Sequence, residues 1–195
     1  MTTADERYVD YLDFSGLCWK RPKCPTRVWR VVDGRRKTAD GKIPRFSIQE
    51  VPKELEDDVI DFMATILFDE EPVQVDTGTK DDPLAVREFR TLWRDVLRQG
   101  ISVVALTVNP DPTVKPMIVG ANMLTVLTAE DEAIFENLTH FRSKGLKKSM
   151  SVQLKLMDEC DVPGKYGVDK YLTASGLSVH PLFRGQGLGE EILRA

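Results

Sequence analysis

The chain has 195 residues, 42% of them apolar and 30% charged, and a formal net charge of −4 at pH 7. Such a chain can bury a sizeable core as one globular domain, and its acidic balance argues against a nucleic-acid partner. No apolar run approaches the length of a membrane span, and the opening residues hold no signal-peptide core, so no membrane partner and a cytoplasmic location are expected. Cys18, Cys24 and Cys160 are odd in number and match no zinc spacing, and only His140 and His180 could join them. Free thiols and no metal are the reading.

Residues 1–42 read as an N-terminal extension. Trp19 and Trp29 stand among Lys20, Arg21, Lys23, Arg27 and Arg30, followed by Arg35, Arg36 and Lys37. Interleaved aromatics and bases can serve nucleic acid, but a solvated extension that packs a tryptophan or two onto the domain fits the acidic whole better. Arg45 to Val51 alternates and reads as a half-buried strand. Leu55, Val59, Phe62, Met63, Ile66 and Leu67 then recur at helical spacing behind Pro52, with a solvated acidic face opposite. Pro72 stops this helix and leaves Glu70 and Glu71 at its end.

Asp82-Pro83 is a cap and first turn, and Ala85, Phe89, Leu92, Trp93 and Val96 continue as a helix up to Gly100. Residues 101–108 read as a buried strand, with a partner over residues 117–127 in which Gly120-Ala121 marks a close approach. Residues 129–148 read as a helix with Ile134, Leu138 and Phe141 facing inward. Lys144, Lys147 and Lys148 would then lie near its C-terminal end.

Residues 171–179 read as a buried strand, where a lone Gly176 suggests a bulge or close backbone approach. His180-Pro181 breaks it, and Arg184-Gly185-Gln186-Gly187-Leu188-Gly189 leads into a helix opening at Glu190. A helix start carries unpaired N–H groups and partial positive charge, so it attracts phosphate. Glycines admit the phosphate close to the main chain, and Arg184 adds a fixed charge. A Walker A loop would need Gly-Lys-Ser/Thr here, and a dinucleotide fingerprint an acidic residue about 20 positions on. Neither is present. A glycine turn without a ligand is the remaining alternative.

Leu177-Ser178-Val179, Pro181 and Arg184-x-x-Gly187-x-Gly189 together resemble the acetyl-CoA segment of the GNAT N-acetyltransferase superfamily. The resemblance implies acetyl-CoA as co-substrate, with Leu177 and Val179 presenting strand backbone to the pantetheine arm. Residues 184–189 would hold the pyrophosphate. Phe68-Asp69-Glu70-Glu71-Pro72-Val73 is similar to a phrase of insect arylalkylamine N-acetyltransferases. There the glutamate before the proline is proposed as the catalytic base, which by position is Glu71. On composition alone, the same residues are a polar helix terminus.

The chemistry fits that role, because an amine arrives as an ammonium ion and must lose a proton before it attacks a thioester. A carboxylate can attract the cation and accept the proton, helped by a partly dry pocket. Asp69 and Glu70 would add field at its mouth. The expected fold is an α/β GNAT-type domain over residues 43–195, with a mixed sheet splayed at the cofactor strand. The expected activity is direct transfer of acetyl to a small primary arylalkylamine, with main-chain N–H near Leu177 to Val179 polarising the thioester carbonyl. The family carries a further strand, a helix and a closing strand pair after the glycine turn, so the resemblance implies an incomplete C-terminus. A catalytically silent CoA-binding protein is the alternative. The sequence leaves the oligomeric state open.

Overall fold

Five strands pair in chain order into an antiparallel sheet: β1 (Val28–Asp33), β2 (Arg45–Glu50), β3 (Val103–Thr107), β4 (Ile118–Thr128) and β5 (Lys170–Val179). The computed structural model describes residues 6–39, 41–111, 113–131 and 140–195. Its helices are α1 (Glu56–Glu70), α2 (Pro72–Asp76), α3 (Pro83–Leu97), α4 (Lys144–Cys160), α5 (Val162–Tyr166) and α6 (Leu188–Leu193). Among the described residues none is long and apolar enough to cross a membrane.

The helices cover both faces of the sheet. On one face, α1 buries Val59, Ile60 and Met63, and α3 buries Ala85, Phe89, Trp93 and Val96, against Val104, Leu106, Ala121 and Met123 of β3 and β4. Trp93 is fully buried and stacks on Phe68 at 5.6 Å between ring centroids. Deleting such a side chain typically costs about 3–5 kcal/mol. On the other face, Leu188 and Ile192 of α6 close over Phe46, Ile48, Val103, Ala105 and Val119. The periodicities read from the sequence are the cause: β-branched residues on the strands, and apolar stripes with carboxylates at the start of α1. Asp82 caps α3 by accepting from the Leu84 N–H at 2.9 Å.

Three expectations differ from what is seen. The segment read as an N-terminal extension supplies β1, which pairs with β2, and its Leu12, Phe14 and Leu17 are buried. It has little regular structure because side-chain oxygens from the body of the protein take its main-chain donors. Thr91 Oγ1 accepts from the Val9 N–H at 3.0 Å and Asp95 from that of Phe14 at 2.9 Å. Asp131 accepts from the Cys18 N–H at 2.7 Å and Glu50 from that of Arg27 at 2.6 Å. These acceptors stand on α3, β2 and the turn after β4.

The second difference concerns the helix expected over residues 129–148. Only a short 3₁₀ turn at Ala129–Asp131 is present at its start, and Ile134 and Leu138 lie outside the described residues. Phe141 is buried but precedes the helix, which opens at Lys144 because Ser143 caps the Leu146 N–H at 3.2 Å. Lys144, Lys147 and Lys148 therefore sit at a helix start, and Lys148 pairs with Asp76. Third, a mixed sheet was expected, yet every strand pair among the described residues is antiparallel.

Candidate active site and cofactor cleft

β5 is the strand on which the site is built. Its pairing with β4 runs Gly120 to Val179, Ala121 to Ser178 and Asn122 to Leu177, then slips so that Leu124 faces Ala174. Ser175 and Gly176 thus oppose one residue of β4, which is a bulge. Gly176 has φ +136°, and a Cβ there would lie 3.0 Å from the Met63 methyl carbon, so only glycine fits without strain. The bulge turns the Ser175 carbonyl toward α3, where the Trp93 indole N–H donates to it at 3.0 Å.

Beyond the bulge the His180 N–H donates to the Val119 carbonyl at 2.9 Å. Main-chain groups of a strand alternate in direction. Those of Val179 and Leu177 therefore point away from β4, to the edge where β5 has no further strand among the described residues. The Val179 carbonyl accepts from Arg184 Nε at 3.1 Å on that side.

A cleft of about 340 Å³ lies along this edge. The end of α1 (Ile66, Leu67, Glu70) and Glu71 form one wall, and Leu177, Ser178 and Val179 form the other. Glu71 is held by its neighbour Pro72, which keeps it extended, ends α1 and opens α2. Its Oε2 accepts from the Gln74 N–H at 2.8 Å as the cap of α2, and Oε1 has no hydrogen bond among the described residues. The expected field from Asp69 and Glu70 is largely compensated, since Asp69 pairs with Lys80 and Glu70 pairs with Arg184. Among the described residues, Glu71 is left as the carboxylate of this wall without a cation.

Arg184 and Val179 also border a second cleft, of about 550 Å³, whose wall is Gly185, Gly187 and Gly189. Gly185 and Gly187 have φ +75° and +84°, a region that favours glycine. The opposite wall is Arg35 and Arg36, from the turn between β1 and β2. Of the expected loop residues, Gln186 does not turn its side chain into the cleft. It is 8% exposed, accepts from the Arg36 N–H at 2.8 Å and donates to the Arg36 carbonyl at 3.0 Å. Leu188 likewise sends its side chain into the core below the sheet. Arg35 pairs with Glu190, and with Arg194 it holds that carboxyl below the usual glutamate range.

The structure thus brings Glu71, Leu177, Ser178, Val179 and Arg184 to one cleft, and Arg184, Gly185, Gly187, Leu188 and Gly189 to the adjoining one. Arg35 and Arg36 were not expected there. Their only local signal is a pair of cations after the Asp33-Gly34 turn, indistinguishable from the other bases of residues 1–42. His180 Nδ1 accepts from the Leu182 N–H at 3.2 Å, and its ring packs on Phe183.

No protein-family model matches the chain, and no curated protein matches it. Solved structures do. A protein assigned as arylalkylamine N-acetyltransferase 7 of the yellow fever mosquito superposes with a TM-score of 0.67 at 28% identity, over 90% of this chain and 71% of that one. Arylalkylamine N-acetyltransferase 2 of Aedes aegypti gives 0.63 at 20% identity, over 76% and 67%. The polyamine N-acetyltransferase of Drosophila melanogaster, described as forming N-acetylagmatine, gives 0.62 at 18% identity over the same shares. The chain therefore has the GNAT acyltransferase fold, and its structural neighbours are insect N-acetyltransferases of amines.

Proposed function

We propose that this chain transfers the acetyl group of acetyl-CoA to a small primary amine of the arylalkylamine kind. One observation carries the reading: Glu71 and the outward-facing main chain of Leu177 and Val179 line a single cleft, which continues past Arg184 to the glycine turn. Proteins of the same fold that bear the names arylalkylamine and polyamine N-acetyltransferase support it.

The pantetheine arm would pair its amides with the open edge of β5, as an added strand does. That places the thioester beside Leu177 and Val179, where an outward N–H polarises its carbonyl oxygen. The phosphates would lie in the glycine cleft. The amine enters as an ammonium ion, attracted by the Glu71 carboxylate, which accepts its proton directly or through a water. The freed lone pair attacks the thioester carbon, the C–N bond forms and the C–S bond breaks, and the CoA thiolate takes up, through solvent, the second proton that the new amide nitrogen sheds. Neutral Glu71 then returns its proton to solvent.

Glu71→Gln tests this assignment with the cap of α2 intact, because an amide oxygen still accepts from the Gln74 N–H. Loss of a general base typically costs about 10²–10⁴-fold in turnover, so kcat should fall by about 100-fold or more while CoA binds as before. The deficit should shrink above pH 10, where the free amine is abundant without a base. Unchanged turnover at pH 7 removes Glu71 from the mechanism.

A further inference from the structure

We infer that the turn between β1 and β2 forms the second wall of the cofactor's phosphate site, with Arg36 as the cation that binds a phosphate group there. The inference rests on the acetyl-CoA reading and adds to it two residues from a part of the chain distant in sequence from the glycine turn.

Three guanidinium groups surround the glycine cleft, and two are already engaged. Arg184, the expected phosphate ligand, pairs with Glu70 and donates to the Val179 carbonyl. Arg35 pairs with Glu190, whose other oxygen Arg194 takes at 2.7 Å. The Arg36 guanidinium has no ion-pair partner among the described residues. It lies directly over the glycine turn: a Cβ on Gly185 would be 2.8 Å from its Cζ, and one on Gly187 would be 2.5 Å from Arg35 Nε.

The cations therefore exceed the carboxylates at this cleft. Guanidinium groups gathered without a matching anion repel one another, and a phosphate offsets that repulsion while accepting two N–H bonds from one planar fork. The placement is also built. Gln186, nearly buried, ties both the N–H and the carbonyl of Arg36 to the glycine turn, so the two walls are fixed relative to each other before any ligand enters. CoA carries a diphosphate and a phosphate monoester, which supplies more anionic groups than Arg184 alone could meet.

Isothermal titration of CoA into the wild type, Arg36→Ala and Arg36→Lys tests the inference, with the ligand-free melting temperature of each as control. Arg36→Ala should weaken CoA by about tenfold, Arg36→Lys by less, and added salt should narrow the gap because the site is open to solvent. If the wild type and Arg36→Ala bind CoA equally, the inference is overturned and the acetyl-CoA reading stands. A lowered melting temperature with equal weakening in both variants would show a role in folding alone, which also overturns it. A wild-type chain that takes up no CoA overturns the acetyl-CoA reading itself.

Discussion

Gly176 sits at φ +136° with the Met63 methyl group where a Cβ would go. Both strain and crowding oppose any side chain, so Gly176→Ala should destabilise the protein by about 2 kcal/mol. For a chain of this size that lowers the melting temperature by about 4–8 °C, and an unchanged melting curve would show that the bulge does not depend on glycine. Glu71 owes its place to a similar local rule, since Pro72 forces it out of the helix and toward β5. Such positions were legible in the sequence because a backbone constraint acts between neighbours. Arg36 was not legible. What brings it to the site is Gln186, 150 positions away, and no spacing rule links the two. The occupation of Arg184 by Glu70 was hidden for the same reason, being a contact between residues 114 positions apart.

At the scale of elements, strands β2 to β5 and helices α1 and α3 followed from alternation, apolar stripes and caps, whereas β1 lay in the segment read as an extension. The segment before β1 did not, because buried carboxylates stand in for a regular ladder. Asp131 is the clearest of these. Burial alone would raise its pKa, but hydrogen bonds from the Cys18 and Thr128 main-chain N–H groups outweigh that and hold it below the usual aspartate value. A carboxyl held low adds stability in full above its unfolded pKa of about 3.9, and loses it as the pH falls through the folded value. Asp131→Asn should thus cost about 1–2 kcal/mol at pH 7. Urea midpoints should show that deficit narrowing toward pH 3; a deficit that does not change with pH would mean the charge is not what holds the segment. The misplaced helix start at residue 144 has a related cause. Ser143 carries a cap signal, and the longer apolar pattern over residues 129–148 obscured it.

For the whole molecule, the motifs at residues 177–189 and 68–73 indicated the fold, and the order of the later strands and helices agreed with it, because consecutive strands here are neighbours in the sheet. The resemblance implied a mixed sheet, whereas the strand pairs among the described residues are all antiparallel. The layered arrangement gives the site its form: one face anchors α1 and Glu71, the other anchors α6 below the glycine turn, and β5 runs between them. The central claim is that these parts act together as an acetyltransferase. The most direct measurement is thiol release from acetyl-CoA in the presence of the chain and a series of primary amines, arylalkylamines and agmatine among them. The account predicts amine-dependent release of one free thiol per N-acetyl product, lost on Glu71→Gln. CoA binding without thiol release for any amine would contradict it and leave a protein that holds the cofactor without using it.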